Sequence, residues 1–138
     1  MEVCLSVLDY AVNNLQVKHV IVCGQYGCGG IKAAATKTDF KYVLIMWLRN
    51  IKDVYRIHRT EFDGIGDEET RINRLVEPNV QEQLMNLAKT SIIQRAWEKE
   101  QRPDLHGGVY GLKDGLIKPV SAMKSGTAID PIYEYEKL

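Results

Sequence analysis

The sequence predicts an α/β fold, a short and mainly parallel sheet flanked by helices, and three observations point there. First, the β-branched run His19-Val20-Ile21-Val22-Cys23 leads into a glycine-rich stretch and then an alanine-rich one, the order of strand, turn and helix in one α/β unit. Second, apolar side chains recur at helical spacing from Val43 to Ile92. Third, two late strand-like runs flank Lys113-Asp114-Gly115, a hairpin turn in which Asp-Gly takes the positive φ required.

Taken in order, residues 5–15 place Leu5, Leu8, Ala11, Val12 and Leu15 on one helical face. Ser6 and Asp9 have the spacing of a capping box at its start, and Asn13 and Asn14 weaken its end. Residues 19–23 are apolar nearly throughout, the pattern of a strand covered on both faces. Residues 24–30 form the glycine loop, and Ile31 to Ala35 start a helix, since alanine has the best helix propensity. A long amphipathic helix is expected over residues 41–59 and a break at residues 62–66. Asp67 caps a second helix over residues 67–76. Pro78 suits the first turn of a third, with Val80, Leu84, Leu87, Ala88 and Ile92 as its buried stripe. Residues 101–105 read as a loop, residues 107–112 and 116–120 as the hairpin strands, and the rest as an irregular tail whose Tyr133 and Tyr135 have no assigned place.

A chain of 138 residues suits one domain and buries roughly two-thirds of its unfolded surface. Its 18 basic and 18 acidic residues balance, which argues against a nucleic-acid surface. The longest apolar run, residues 42–48, falls far short of the roughly 20 residues a membrane span needs. The opening Met-Glu-Val-Cys-Leu lacks a basic n-region, so no secretory signal is read there. Three cysteines without such a signal argue for reduced thiols or metal ligands, and a cytoplasmic or organelle-matrix home is the expectation.

Several blocks in order carry a resemblance. Leu5-Ser6-Val7-Leu8-Asp9-Tyr10-Ala11-Val12 is followed by Val17-Lys18-His19-Val20-Ile21-Val22-Cys23-Gly24 and the loop Gln25-Tyr26-Gly27-Cys28-Gly29-Gly30. Trp47-Leu48-Arg49-Asn50-Ile51, Asn79-Val80-Gln81-Glu82-Gln83, Ser91-Ile92-Ile93-Gln94-Arg95-Ala96-Trp97 and His106-Gly107-Gly108-Val109-Tyr110-Gly111-Leu112 continue it. Together they resemble the C-terminal two-thirds or so of a β-class carbonic anhydrase, up to about Val120. The resemblance implies a truncated β-carbonic anhydrase-like fold, with residues 1–120 as a partial domain and residues 121–138 as its irregular tail. It also implies the family reaction, zinc-dependent reversible hydration of carbon dioxide to bicarbonate.

Family members hold zinc with two cysteines and one histidine, and a Cys-x-Asp-x-Arg motif supplies the first cysteine with an Asp-Arg pair. That motif belongs well upstream of Leu5, where only four residues stand. The family pattern Gly-His-x-x-Cys-Gly-Gly meets Gly24-Gln25-Tyr26-Gly27-Cys28-Gly29-Gly30, so Gln25 occupies the histidine place and Cys28 alone matches a ligand. An amide oxygen is a poor zinc donor beside imidazole or thiolate. The expectation is therefore Cys28, with Gln25 as occupant of the histidine position, as the metal residues, no tight zinc, no residue in a catalytic role, and a chain inactive or weakly active alone. Gly29 and Gly30 are the candidate substrate-binding positions, where the backbone lets bicarbonate approach. Cys23 reads as a small buried hydrophobe, Cys4 as incidental, and His19, His58 and His106 as structural. The glycine loop is neither a P-loop nor a dinucleotide fingerprint. A strand at residues 20–22 without its family neighbour leaves an apolar edge. That edge points to a homo-oligomer, or to a noncatalytic module that associates with an intact family subunit.

Overall fold

A computed structural model describes residues 2–138, with the backbone alone at Glu2. In chain order the elements are α1 (Glu2–Asp9) continued by a π turn (Tyr10–Asn14), β1 (His19–Gln25), α2 (Gly29–Ala34), α3 (Tyr42–Ile57), α4 (Arg59–Asp63), α5 (Glu68–Ala88), α6 (Ser91–Glu100), β2 (Asp104–Tyr110), β3 (Ile117–Met123) and a 3-10 turn (Pro131–Tyr133). The strands form one sheet in the order β1-β2-β3. β1 and β2 are parallel: the Asp104 amide donates to Lys18 O (2.9 Å) and the Tyr26 amide to Tyr110 O (3.1 Å), so both strands advance together. β2 and β3 are an antiparallel hairpin closed by the Gly111 amide on Leu116 O at 2.9 Å. The α/β class and the short helix-flanked sheet are as expected, with one parallel and one antiparallel pairing.

The chain divides into two compact units. One comprises Met1–Val22, Gln83–Gly107 and Ser121–Leu138. Its core gathers Leu8, Val12, Leu84, Ala88, Ile93, Ala96, Trp97, Leu105 and Met123. Trp97 Nε1 donates to Pro103 O (2.7 Å), and Arg102 Nη1 donates to Val12 O (2.6 Å). The tail is fixed by Gln94, which is buried. Its amide donates to Ala88 O and to Tyr133 O, and its oxygen accepts from the Tyr135 amide. A buried amide left unmatched would be costly, so this side chain gives Tyr133 and Tyr135 the place that local sequence does not specify.

The other unit comprises Cys23–Glu82 and Gly108–Val120. Leu48, Ile51 and Val54 of α3, Phe62 of α4 and Ile72, Leu75, Val76 and Val80 of α5 are buried in it. Lys52 Nζ donates to Ala34 O (2.9 Å) and Thr36 O (2.6 Å), satisfying carbonyls at the end of α2. At Gly24, β1 runs directly beneath α5: a Cβ there would stand 2.6 Å from Val80 Cγ2 and 3.0 Å from Val76 Cγ1. The opposite face of α3 is open, with Val43, Met46 and Trp47 exposed.

Several elements differ from the sequence expectation for physical reasons. Ser6 lies inside α1, not at its N-cap, so the Ser6–Asp9 spacing is no capping box. The helices expected at residues 67–76 and 78–92 are one, α5, with Pro78 inside it. An interior proline costs about 3 kcal/mol. The buried stripe of Ile72, Leu75, Val76, Val80 and Leu84 runs unbroken past it, and each such side chain is worth about 1.5–3 kcal/mol, so continuity wins. Asp67 caps α5 as expected, its Oδ2 accepting from the Thr70 amide at 2.8 Å. α5 ends before Thr90, whose hydroxyl accepts from the Ile93 amide and starts α6, so Ile92 belongs to the next helix. The expected break at residues 62–66 shifts because Phe62 is fully buried and holds α4. β2 begins at Asp104, inside the expected loop, because Leu105 is core. β1 is not covered on both faces: it is an edge strand whose residues alternate between exposed and half-buried. Ile21 and Cys23 are exposed, which overturns the buried reading of Cys23.

The Gly24 contact is testable. Gly24→Ala is expected to lower the unfolding free energy by about 1–3 kcal/mol in urea denaturation. Val80→Ala in the same chain should recover part of the loss, because the second change removes the methyl groups that the new Cβ meets.

Candidate metal-ligand loop

The loop that carries the sequence-assigned residues joins β1 to α2, inside the second unit. Gln25 is the last residue of β1 and is exposed. Tyr26 and Gly27 turn the chain, with Gly27 at φ +74°. Cys28 is the N-cap of α2 and half-buried; its carbonyl accepts from the Lys32 amide at 3.0 Å. Gly29 and Gly30 open the helix.

Three contacts hold this turn. The Tyr26 amide donates to Tyr110 O at 3.1 Å, the Gly27 amide to Asn73 Oδ1 at 2.8 Å, and the Tyr26 hydroxyl to Glu77 Oε1 at 2.6 Å. Asn73 and Glu77 lie one helical turn apart on α5, so one helix face grips both residues of the turn. Glu77 also accepts from Lys118 Nζ (3.1 Å) and Arg74 Nη1 (3.0 Å), and Arg74 reaches Glu61 at 2.7 Å. Burial would raise the Glu77 pKa, but hydrogen bonds from Tyr26 and Lys118 and the charges of Lys118 and Arg74 outweigh it and hold the carboxyl below its ordinary value. Burial and the Glu77 carboxylate push the Tyr26 phenol up, which keeps it a donor.

The glycines of the loop have different reasons. A Cβ on Gly30 would lie 3.2 Å from Trp47 Cη2 and 3.7 Å from Cys28 Sγ, so glycine here leaves room for the indole. A Cβ on Gly29 would meet nothing within 4 Å, so packing does not call for glycine there. An open cavity of about 600 Å³ adjoins the turn, lined by Tyr26, Gly27, Asn73, Leu112 and Lys118 among others; Cys28 and Gln25 do not line it.

Among the described residues, no three His, Cys, Asp or Glu side chains are grouped where they could share a metal ion. Cys28 offers one thiolate, and its neighbour in the family pattern, Gln25, offers an amide. This donor set does not fit a tetrahedral zinc centre, which needs four ligands of thiolate, imidazole or carboxylate character, or three with water. His58 stands 4.0 Å from Glu61 between α3 and α4 and is partly exposed. His19 and His106 face one another instead, Nδ1 to Nε2 at 2.9 Å. The sequence reading missed Asn73, Glu77, Trp47 and Lys118. The one local signal was the polar i,i+4 pair Asn73 and Glu77 flanking the apolar stripe of α5.

The parallel β1–β2 pair, with a cysteine at the strand-to-helix turn, defines an α/β protein. The comparisons identify the family. The carbonic anhydrase family model matches residues 1–117. A carbonic anhydrase of Emericella nidulans is 48% identical over 126 residues, covering 91% of this chain and 55% of that protein. One from Pseudomonas aeruginosa is 32% identical, covering 80% and 50%. Among solved structures, a Coccomyxa β-carbonic anhydrase in complex with acetazolamide superposes with a TM-score of 0.82 at 31% identity, covering 88% of this chain and 55% of that one. A tetrameric β-carbonic anhydrase of Sordaria macrospora gives 0.83 at 31% identity, covering 89% and 62%. The chain belongs to the β-carbonic anhydrase family, and it spans about half the length of the curated relatives it matches. No helix among the described residues is long and apolar enough to cross a membrane.

Glu77 makes the grip on the loop pH-dependent. Its folded pKa lies below the unfolded value of about 4.3, so the native state binds fewer protons there. The stability it contributes is full above that value and is lost as pH falls through the lower folded pKa. Between about pH 5 and pH 3 the wild type should lose stability more steeply than Glu77→Gln, measured by urea denaturation. At pH 7 the variant should be less stable by about 1–3 kcal/mol.

Proposed function

We propose that this chain forms the strand–turn–helix frame of a β-carbonic anhydrase centre with Cys28 as its single ligand, and that alone it is inactive or weakly active toward carbon dioxide. The observation that carries this reading is Gln25 in the histidine place of the family pattern, directly before the anchored turn. A complete structural zinc site is worth on the order of 10–16 kcal/mol through its full ligand set. A thiolate with a neutral amide retains little of that, and loss of even an outer partner lowers affinity about 10–100-fold. Zinc in the family supplies hydroxide at neutral pH by lowering the pKa of bound water to about 7. The residues of this chain do not fit that group. A complete donor set needs ligands from beyond the 138 residues, from further polypeptide or another subunit.

Gly29 and Gly30 are the proposed points of substrate approach. The open space at Gly29 supports this, while the Trp47 contact at Gly30 favours packing.

A second reading has its own observation. β1 is an edge strand with Ile21 exposed, and α3 exposes Val43, Met46 and Trp47. Unpaired strand edges and apolar helix faces invite association. In this reading the chain is a noncatalytic module that joins a copy of itself or an intact family subunit, in a cytoplasmic or organelle-matrix setting.

Metal analysis separates these readings from a working enzyme. Purified chain, dialysed and measured by plasma mass spectrometry, is expected to hold far less than one zinc per chain and to show no hydration above buffer in a stopped-flow indicator assay. Gln25→His should raise zinc affinity at least about tenfold by adding an imidazole, without restoring turnover. One tightly held zinc per wild-type chain with rapid hydration would overturn the proposal.

A further inference from the structure

The two histidines that face one another at the start of the parallel pair are used by nothing described above. His19 Nδ1 and His106 Nε2 are 2.9 Å apart, with ring centroids 5.1 Å apart and planes tilted by 46°. Their spacing is set by the backbone. His19 opens β1, His106 lies on β2, and the Asp104 amide on Lys18 O at 2.9 Å locks the register of the two strands beside them. His19 is exposed and His106 half-buried, so solvent reaches the pair.

Imidazole nitrogens bind a divalent transition ion at about 2.0–2.1 Å. Two such bonds at right angles put the nitrogens about 2.9–3.0 Å apart, the separation found here. Binding an ion requires both rings to turn from this hydrogen-bonded arrangement so that their lone pairs converge to one side. One ring donates in this contact, and its nitrogen is freed as a ligand in the tautomer that carries the proton on the other nitrogen. Asp104, the nearest carboxylate on the same strand, is committed through Oδ1 to the Ser125 amide at 2.8 Å. Two imidazoles therefore serve as the protein ligands, and water fills the remaining positions.

We propose that His19 and His106 form a two-imidazole site for a borderline divalent transition ion of the nickel, copper or zinc class, independent of Cys28. The site clamps β1 to β2 where their pairing begins. Its ligands are both neutral nitrogen donors, which favour these ions over calcium or magnesium.

Nickel chloride is the probe, because it binds imidazole without oxidising the thiols. Calorimetric titration of the 138-residue chain should show one saturable site. His19→Gln and His106→Gln should each weaken it at least about tenfold, and Cys28→Ser should leave it unchanged. Proton NMR of the wild type keeps the test sound if a variant fails to fold: substoichiometric nickel should broaden the ring protons of His19 and His106 before those of His58. No saturable binding, equal broadening of all three histidines, or loss of the site in Cys28→Ser alone would overturn the proposal.

Discussion

The contact on which the ligand loop depends is the bare backbone of Gly24 lying against Val76 and Val80. Because no side chain intervenes, α5 sits directly on the end of β1. That closeness brings Asn73 within reach of the Gly27 amide and Glu77 within reach of the Tyr26 hydroxyl. The turn is thus held by three hydrogen bonds from neighbouring elements, one of them to a carboxylate, which is stronger than a neutral pair. Buried valines on α5, each worth about 1.5–3 kcal/mol, supply the energy that keeps the helix there. The position of Cys28 follows from this packing and these hydrogen bonds.

This order of cause explains how a member of the family keeps the family's frame independently of the donor positions proposed above. The frame is built from apolar packing and the Glu77 network. The donor positions we propose are separate side chains, and Gln25, exposed at the end of β1, takes no part in that packing.

Much of the architecture was legible because it is local. The Asp67 cap, the helical stripe of α3, the β-branched run of β1 and the Asp114-Gly115 turn each follow from residues within a few positions of one another. What stayed hidden was decided by tertiary packing. Pro78 reads as a helix start until the buried stripe on both sides is seen to continue past it. Ile21 and Cys23 read as buried until β1 is placed at a sheet edge. Of the site, Cys28, Gln25 and the glycines were visible as a pattern. Asn73 and Glu77 were not, because they meet the loop across 46 and 51 residues of sequence, a separation at which no spacing rule operates.

The measurement that bears most directly on the central claim is amide hydrogen exchange at Tyr26 and Gly27, with and without a strong chelator. A loop organised by α5 keeps both amides protected, at the same rates in either condition. Exchange at the rate of an unstructured peptide, or protection that disappears when the chelator is added, would show that a bound metal, and not packing at Gly24, shapes the loop.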